Sequence, residues 1–217
     1  MAAMEDRASA GHKLYSPSAA RNAGPLAAAL GPLLPRSSRV LEVASGTGEH
    51  AARLCASRPD VIWQPSDPDA ASRASIAAWA EDVPGSGVLS PLDLDVTALG
   101  WAAAAGGPYD LLFCANMIHI APWAATEGLF REAGRALGSP DAPSATGRVA
   151  LYGPFSRRGA MVDSNRAFDA SLKARDPAWG VRDLDDAVQP LAARCGWALA
   201  RVTEMPANNL FVVFEPN

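Results

Sequence analysis

The chain has 217 residues, 49% of them hydrophobic and 19% charged, with a net charge of −4. That length and composition suit one sizeable folded domain and exclude a disordered chain. No Lys/Arg run exceeds the pair Arg157-Arg158, no apolar window reaches a membrane-spanning length, and no positively charged head precedes an apolar stretch near residue 1. The expectation is therefore a cytoplasmic protein with no nucleic-acid or membrane partner.

Residues 1–13 read as a flexible tail and 14–217 as a single domain. Tyr15-Ser16-Pro17-Ser18 is an N-cap followed by proline at a first helical position, and Gly24-Pro25 interrupts the pattern that follows. Residues 15–34 thus predict two short helices or one kinked helix. Val40 to Ala44 is an apolar run of strand length, broken by Ser45-Gly46-Thr47-Gly48 and then a helix from Glu49. Val61 to Pro65 is a short strand, and the next helix takes Asp67 or Asp69 as its cap. Val88 to Leu94 reads as a strand carrying Pro91, which belongs at a sheet margin because proline has no N–H to donate. A helix over 97–105, an apolar strand over 109–115, a helix over 122–137 and a strand over 148–153 continue the alternation.

Strands alternating with helices imply a mainly parallel, Rossmann-like sheet with helices on both faces. Trp197 to Met205 and Leu210 to Glu215 are joined by Pro206-Ala207-Asn208-Asn209, too short for a parallel crossover, so they predict a C-terminal antiparallel hairpin. The expectation is a seven-stranded sheet. Residues 138–147 form a polar loop, and residues 154–182, rich in Arg, Asn, Asp and Trp, look like an insertion over the crevice. Cys55, Cys114 and Cys195 are odd in number and set in apolar runs, which favours buried thiols over a disulfide or a metal role.

The turn after Val40–Ala44 carries the chemistry. Gly46 and Gly48 let the backbone approach a ligand closely at the carboxyl end of a strand, where nucleotide-like cofactors lie in open α/β sheets. Taken alone, Gly46-x-Gly48-x-x-Ala51 also satisfies a loose dinucleotide fingerprint. Glu42 lies inside the strand, where an acid can orient the loop or meet a ligand ammonium. Asp67 follows the second strand, 19 residues beyond Gly48, where a carboxylate can accept from both ribose hydroxyls. Asp95 follows the third, where it can accept from an adenine amino group while Val96 packs on the ring.

With those residues in place the sequence resembles a class I S-adenosylmethionine-dependent methyltransferase, whose pattern is acidic-x-Gly-x-Gly-x-Gly followed by an Asp after each of the next two strands. Ala44 stands where that pattern has its first glycine, and the expectation is that it keeps a negative φ. The stretches Leu41 to Ala52, Trp63 to Asp67, Leu94 to Thr97, Asn116 to His119, Ser164 to Asp169 and Met205 to Asn209 resemble, in order, the methyltransferase-like 26 family, an uncharacterised group of the domain-of-unknown-function-938 type. The resemblance implies S-adenosylmethionine as cofactor and S-adenosylhomocysteine as product, without a substrate; a small-molecule acceptor and a monomer or homodimer are expected alongside it. It names no acceptor atom.

Methyl transfer needs a positioned nucleophile and, where that atom carries a proton, a base. His119 and Asn116 follow the fourth strand directly. His119 is the candidate base, its alternative being a ring packed against Trp123 or capping the next helix; Asn116 suits cofactor contact. Tyr152, Arg157, Asn165, Asp169 and Arg182 are candidate substrate residues, together with Tyr15, Arg21 and Asn22 if the first helix folds over the site as a lid. Arg21 suits a substrate carboxylate or a salt bridge equally well. His50 reads as packing or capping. The stretch Ala-Asn-Met-Ile-His-Ile after the strand lacks the Asn/Asp-Pro-Pro-Tyr motif of amide and base-amine methylation, and no residue cluster suggests a metal. A non-catalytic cofactor-binding protein and an NAD-dependent oxidoreductase are the competing readings.

Overall fold

The computed structural model describes residues 8–138 and 146–217. The chain enters through a hairpin, Ala8–Ala10 (β1) paired antiparallel with Lys13–Tyr15 (β2). This corrects the expected tail boundary over residues 8–13; residues 1–7 and most of the 138–147 loop lie outside the described residues. β2 is tied down by two bonds of 2.9 Å, Leu14 N–H to Ser75 Oγ and Trp79 Nε1–H to the Leu14 carbonyl. Pro17–Leu30 (α1) follows as one helix with Pro25 inside it, and Ser16 caps it by accepting the Ala19 N–H at 3.1 Å.

Six strands form the central sheet: Arg39–Val43 (β3), Ile62–Ser66 (β4), Leu111–Ala115 (β5), Arg148–Gly153 (β6), Trp197–Met205 (β7) and Asn209–Pro216 (β8). Their spatial order is β4-β3-β5-β6-β8-β7. The β4-β3, β3-β5 and β5-β6 pairings are parallel, and β8 runs antiparallel to both β6 and β7, as the short connection before Asn209 required. Among the described residues the sheet has six strands, not the seven expected. Residues 88–94 do lie at the margin beside β4, but only as isolated bridges, Trp63 to Val88 and Ser66 to Leu92. Between them Pro91 offers no N–H, and the Gln64 side-chain amide takes the Ser90 carbonyl at 2.7 Å.

Between the strands run Glu49–Ser57 (α2), Ala70–Ala80 (α3), Trp101–Ala105 (α4), Trp123–Leu137 (α5), Asp163–Arg175 (α6) and Gln189–Arg194 (α7). Strand β5 is buried on both faces and alternates between two cores. Leu112 and Cys114 pack with Leu129, Phe130 and Phe214 on one side, while Leu111 and Phe113 pack with Leu30, Trp63 and Tyr152 on the other. Each fully buried leucine or phenylalanine contributes about 1.5–3 kcal/mol of transfer free energy. Such two-sided burial is why β5 reads as a continuous apolar run and not an alternating one. The chain reverses its direction of winding at β3, which opens a crevice between the carboxyl ends of β3 and β5. All three cysteines are free, and burial pushes the Cys55 and Cys114 thiols up to about 12. No helix among the described residues is long and apolar enough to cross a membrane, and none of their side chains cluster as metal ligands.

Candidate cofactor cleft

The rim of the crevice is built by backbone that leaves β3 in left-handed conformations. Ala44 has φ +55°, Gly46 +60° and Gly48 +90°. The expected negative φ at Ala44 is thereby corrected: its site needs the left-handed region, which costs an L-residue about 1–2 kcal/mol. The loop is stitched to β4 on both sides of the turn. Ser45 N–H donates to the Ser66 carbonyl at 2.9 Å, and the Ser66 hydroxyl donates to the Glu42 carbonyl at 2.8 Å. Gly48 cannot be larger, since a Cβ there would lie 2.7 Å from the Ile76 Cα.

Asp67 sits at the end of β4, 2% exposed. Its carboxylate accepts the Gly46 N–H at 3.0 Å and the Asp69 N–H at 2.9 Å. Burial pushes its pKa up, and those two donors pull the other way. Two acceptor bonds leave the remaining lone pairs of the carboxylate available to a ligand. Asp69, not Asp67, caps α3, taking the Ser72 N–H at 2.8 Å.

Asp67 opens on a cleft of about 800 Å³, mouth included, whose walls also carry Glu42, Ala44, Gly46, His50 and Asn116. The first turns of α1 supply Ser16, Ser18, Ala19 and Asn22 to the same cleft. Helix α1 is held there by the Ser16 N–H, which donates to the buried Glu49 carboxylate at 2.8 Å. A second cleft of about 690 Å³ shares Ala44 and Met117 with the first. Its walls are Val43, Leu94, Val96 and Pro122, with Asp95 at the rim accepting the Thr97 N–H and hydroxyl at 2.8 Å. Together they form a slot, polar at one end and apolar at the other. Its described lining contains the carboxylates of Glu42, Asp67 and Asp95 and no lysine or arginine.

Other expected residues lie elsewhere. His119 is fully buried and lines neither cleft. Its Nδ1 accepts the Arg182 N–H at 3.1 Å, its ring stands edge-on to Phe155 at 4.9 Å, and a Cβ on Gly153 would fall 2.5 Å from Nε2. Burial, reinforced by the Arg182 charge, holds its pKa down to about 3. The ring therefore lies outside both clefts, packed among its neighbours with Nε2 buried and without a hydrogen-bond partner. Tyr15 packs on Trp79, centroids 5.2 Å apart, and Arg21 is exposed; neither lines the slot. Tyr152 is buried, its hydroxyl accepting from Asn209 at 2.9 Å, and burial pushes it up to about 12. Asp169 is bound to Lys173 and to the Val181 N–H, where it holds the 154–182 segment together. Asn165 lines a separate cleft between that segment and the β7–β8 tip, donating to the Asn208 carbonyl at 3.0 Å.

The roles of Ser16, Ser18 and Ala19 in the cleft wall were not foreseen; Ser16 had signalled only a cap. Arg182, a candidate for the substrate pocket, lines neither cleft of the slot and acts as a clamp. It donates to the Ile118, Ala121 and Ala178 carbonyls and lies 5.7 Å from the Trp123 ring, fixing the turn below the slot.

The fold matches solved structures at low identity. The mitomycin 7-O-methyltransferase MmcR superposes with a TM-score of 0.74 at 11% identity, over 92% of this chain and 54% of that one. CalO1, a methyltransferase in calicheamicin biosynthesis solved in its SAH-bound form, gives 0.70 at 18%, covering 92% and 54%. An O-methyltransferase family protein from Burkholderia thailandensis gives 0.72 at 13%, covering 92% and 57%. The present chain thus spans about half the length of these proteins, and the likeness is one of fold. A family model covers residues 13–216, and the chain belongs to that family, the proteins of unknown function DUF938.

Proposed function

We propose that this protein is an S-adenosylmethionine-dependent methyltransferase acting on a small-molecule acceptor. The observation that carries the reading is the charge of the slot. Three carboxylates and no cationic side chain line it among the described residues. Such a lining attracts a ligand bearing sulfonium and ammonium groups and repels the diphosphate of a dinucleotide. Glu49 reinforces this, because its carboxylate already sits in the first turn of α2, where a phosphate would otherwise bind. The NAD-dependent reading is disfavoured on the same ground.

In this reading Asp67 accepts from the ribose hydroxyls, Asp95 and Val96 take the adenine, and Asn116 with Asn22 flanks the amino-acid end. When bound, the cofactor supplies a methyl group already activated for in-line displacement. The chain's own task is then to position an acceptor and exclude water. The fold shared with MmcR and CalO1 supports the same conclusion.

The position of His119 favours one second reading, a protein that binds the cofactor without turnover, since the expected base does not reach the slot. Calorimetric titration tests both. S-adenosylmethionine and S-adenosylhomocysteine should bind and NAD should not; no heat with either sulfur compound would end the proposal. Incubation with a labelled methyl donor and fractionated extract then separates the readings, because only an enzyme accumulates labelled small molecules.

A further inference from the structure

The polar end of the slot holds a buried carboxylate–imidazole pair that the nucleoside assignments leave unused. Glu42 is 1% exposed, and its Oε2 accepts the Trp63 indole N–H at 2.9 Å. Its Oε1 lies 3.8 Å from His50 Nδ1. That separation is too long for a hydrogen bond; in the neutral ring, the tautomer with its proton on Nδ1 is the one that meets the negative charge favourably. Nε2 of His50 is then a bare acceptor, and it is buried without a hydrogen-bond partner although the residue stands in the cleft wall. A buried polar atom without a partner is costly unless a ligand completes it.

We infer that His50 is a cofactor-binding residue that reads the amino-acid end of the nucleoside: its Nε2, oriented by Glu42, accepts a hydrogen bond from the ligand's α-ammonium group. The inference rests on the cofactor reading above. Three features select an ammonium. Only a donor can satisfy the free lone pair, Glu42 adds negative charge beside it, and no lysine or arginine in the described lining competes for that place. His50 stands on the first turn of α2 beside Glu49, whose carboxylate accepts the Ser16 N–H and so ties α1 to the same wall.

The test compares two probes on the whole chain by calorimetry: S-adenosylhomocysteine, which carries the ammonium, and methylthioadenosine, which lacks the amino-acid end. His50→Ala should weaken the first about tenfold, the scale of a lost hydrogen bond to a charged group. The second should change less than about twofold. His50→Gln keeps an acceptor and should recover part of the loss, which also guards against a misfolded alanine variant. Unchanged S-adenosylhomocysteine binding by His50→Ala, or equal weakening of both probes, would overturn the assignment. A wild-type chain that binds neither probe removes the cofactor reading itself, an outcome distinct from either of these.

Discussion

The rim that follows β3 and β4 and the turn that follows β5 both deliver polar side chains to the carboxyl end of the sheet, yet they use them oppositely. On the rim, Asp67 is buried against two backbone donors and still borders the cleft. In the turn, His119 is buried against Phe155, Gly153 and the Arg182 backbone and borders nothing open. The division falls at Asn116, whose φ of +62° starts a single 3-10 turn over Met117–His119. Residues three apart eclipse in such a turn, so Asn116 and His119 both abut Gly153, with Asn116 on the cleft side. A titratable residue just past a strand end is therefore a candidate only when its ring, as well as its backbone, reaches the opening.

Acid should break the turn before the rim. The folded protein holds His119 neutral, with a pKa near 3 against 6.5 for a free histidine. A depressed folded value means that the stabilisation is complete above about pH 6.5 and is lost as pH falls from there towards 3. The slope is about 1.4 kcal/mol per pH unit, so roughly 2–3 kcal/mol disappears by about pH 4.5. His119→Gln removes that proton from the balance. Urea midpoints at neutral and acid pH should converge for the two chains as pH falls, whatever the variant costs at neutrality. Parallel curves would mean that His119 is charged or exposed in the folded state, and the contrast with the rim would vanish.

The complementary experiment addresses the rim. Asp67→Ala should weaken S-adenosylhomocysteine binding by about 1–3 kcal/mol, the cost of removing a charged acceptor from hydrogen-bonded groups. His119→Gln should leave that affinity intact. Equal losses from both would show that the turn and the rim act as one unit. Retained affinity in Asp67→Ala would deprive the carboxylate of its ribose role.

How far sequence reaches differs between the regions for physical reasons. Strand β3 was legible because Val40 to Val43 are buried on both faces, and the antiparallel β7–β8 pair because four residues cannot carry a crossover. The place of Asp67 in the cleft wall was legible because its distance from the glycine turn is set by one helix and one strand; that of Asp95 adds a second helix and the margin segment. The direction of the His119 ring was not, since it depends on the left-handed Asn116; asparagine tolerates that conformation, so the signal existed but was weak. The Ser16–Glu49 bond joins residues 33 apart and leaves no local trace. The margin segment was half legible: Pro91 announced its position, but not that the Gln64 side chain would replace a rung of the ladder.

The smallest expected effect is also the most direct measure of strain in the rim. Ala44 holds φ +55° at the point where the chain leaves β3, and both clefts share it. Ala44→Gly removes the clash of a Cβ in left-handed backbone, worth about 1–2 kcal/mol, and adds unfolded-state freedom worth about 0.5–1 kcal/mol. The balance is a gain of roughly 0.5–1 kcal/mol, read as a higher urea midpoint. The same substitution at a residue of ordinary negative φ, such as Ala51 inside α2, should instead lower the midpoint, because there only the entropy and lost packing remain. Opposite signs at Ala44 and Ala51 would show that the rim stores strain where the ligand is expected to bind; a loss at both would mean that Ala44 relaxes to ordinary backbone in solution.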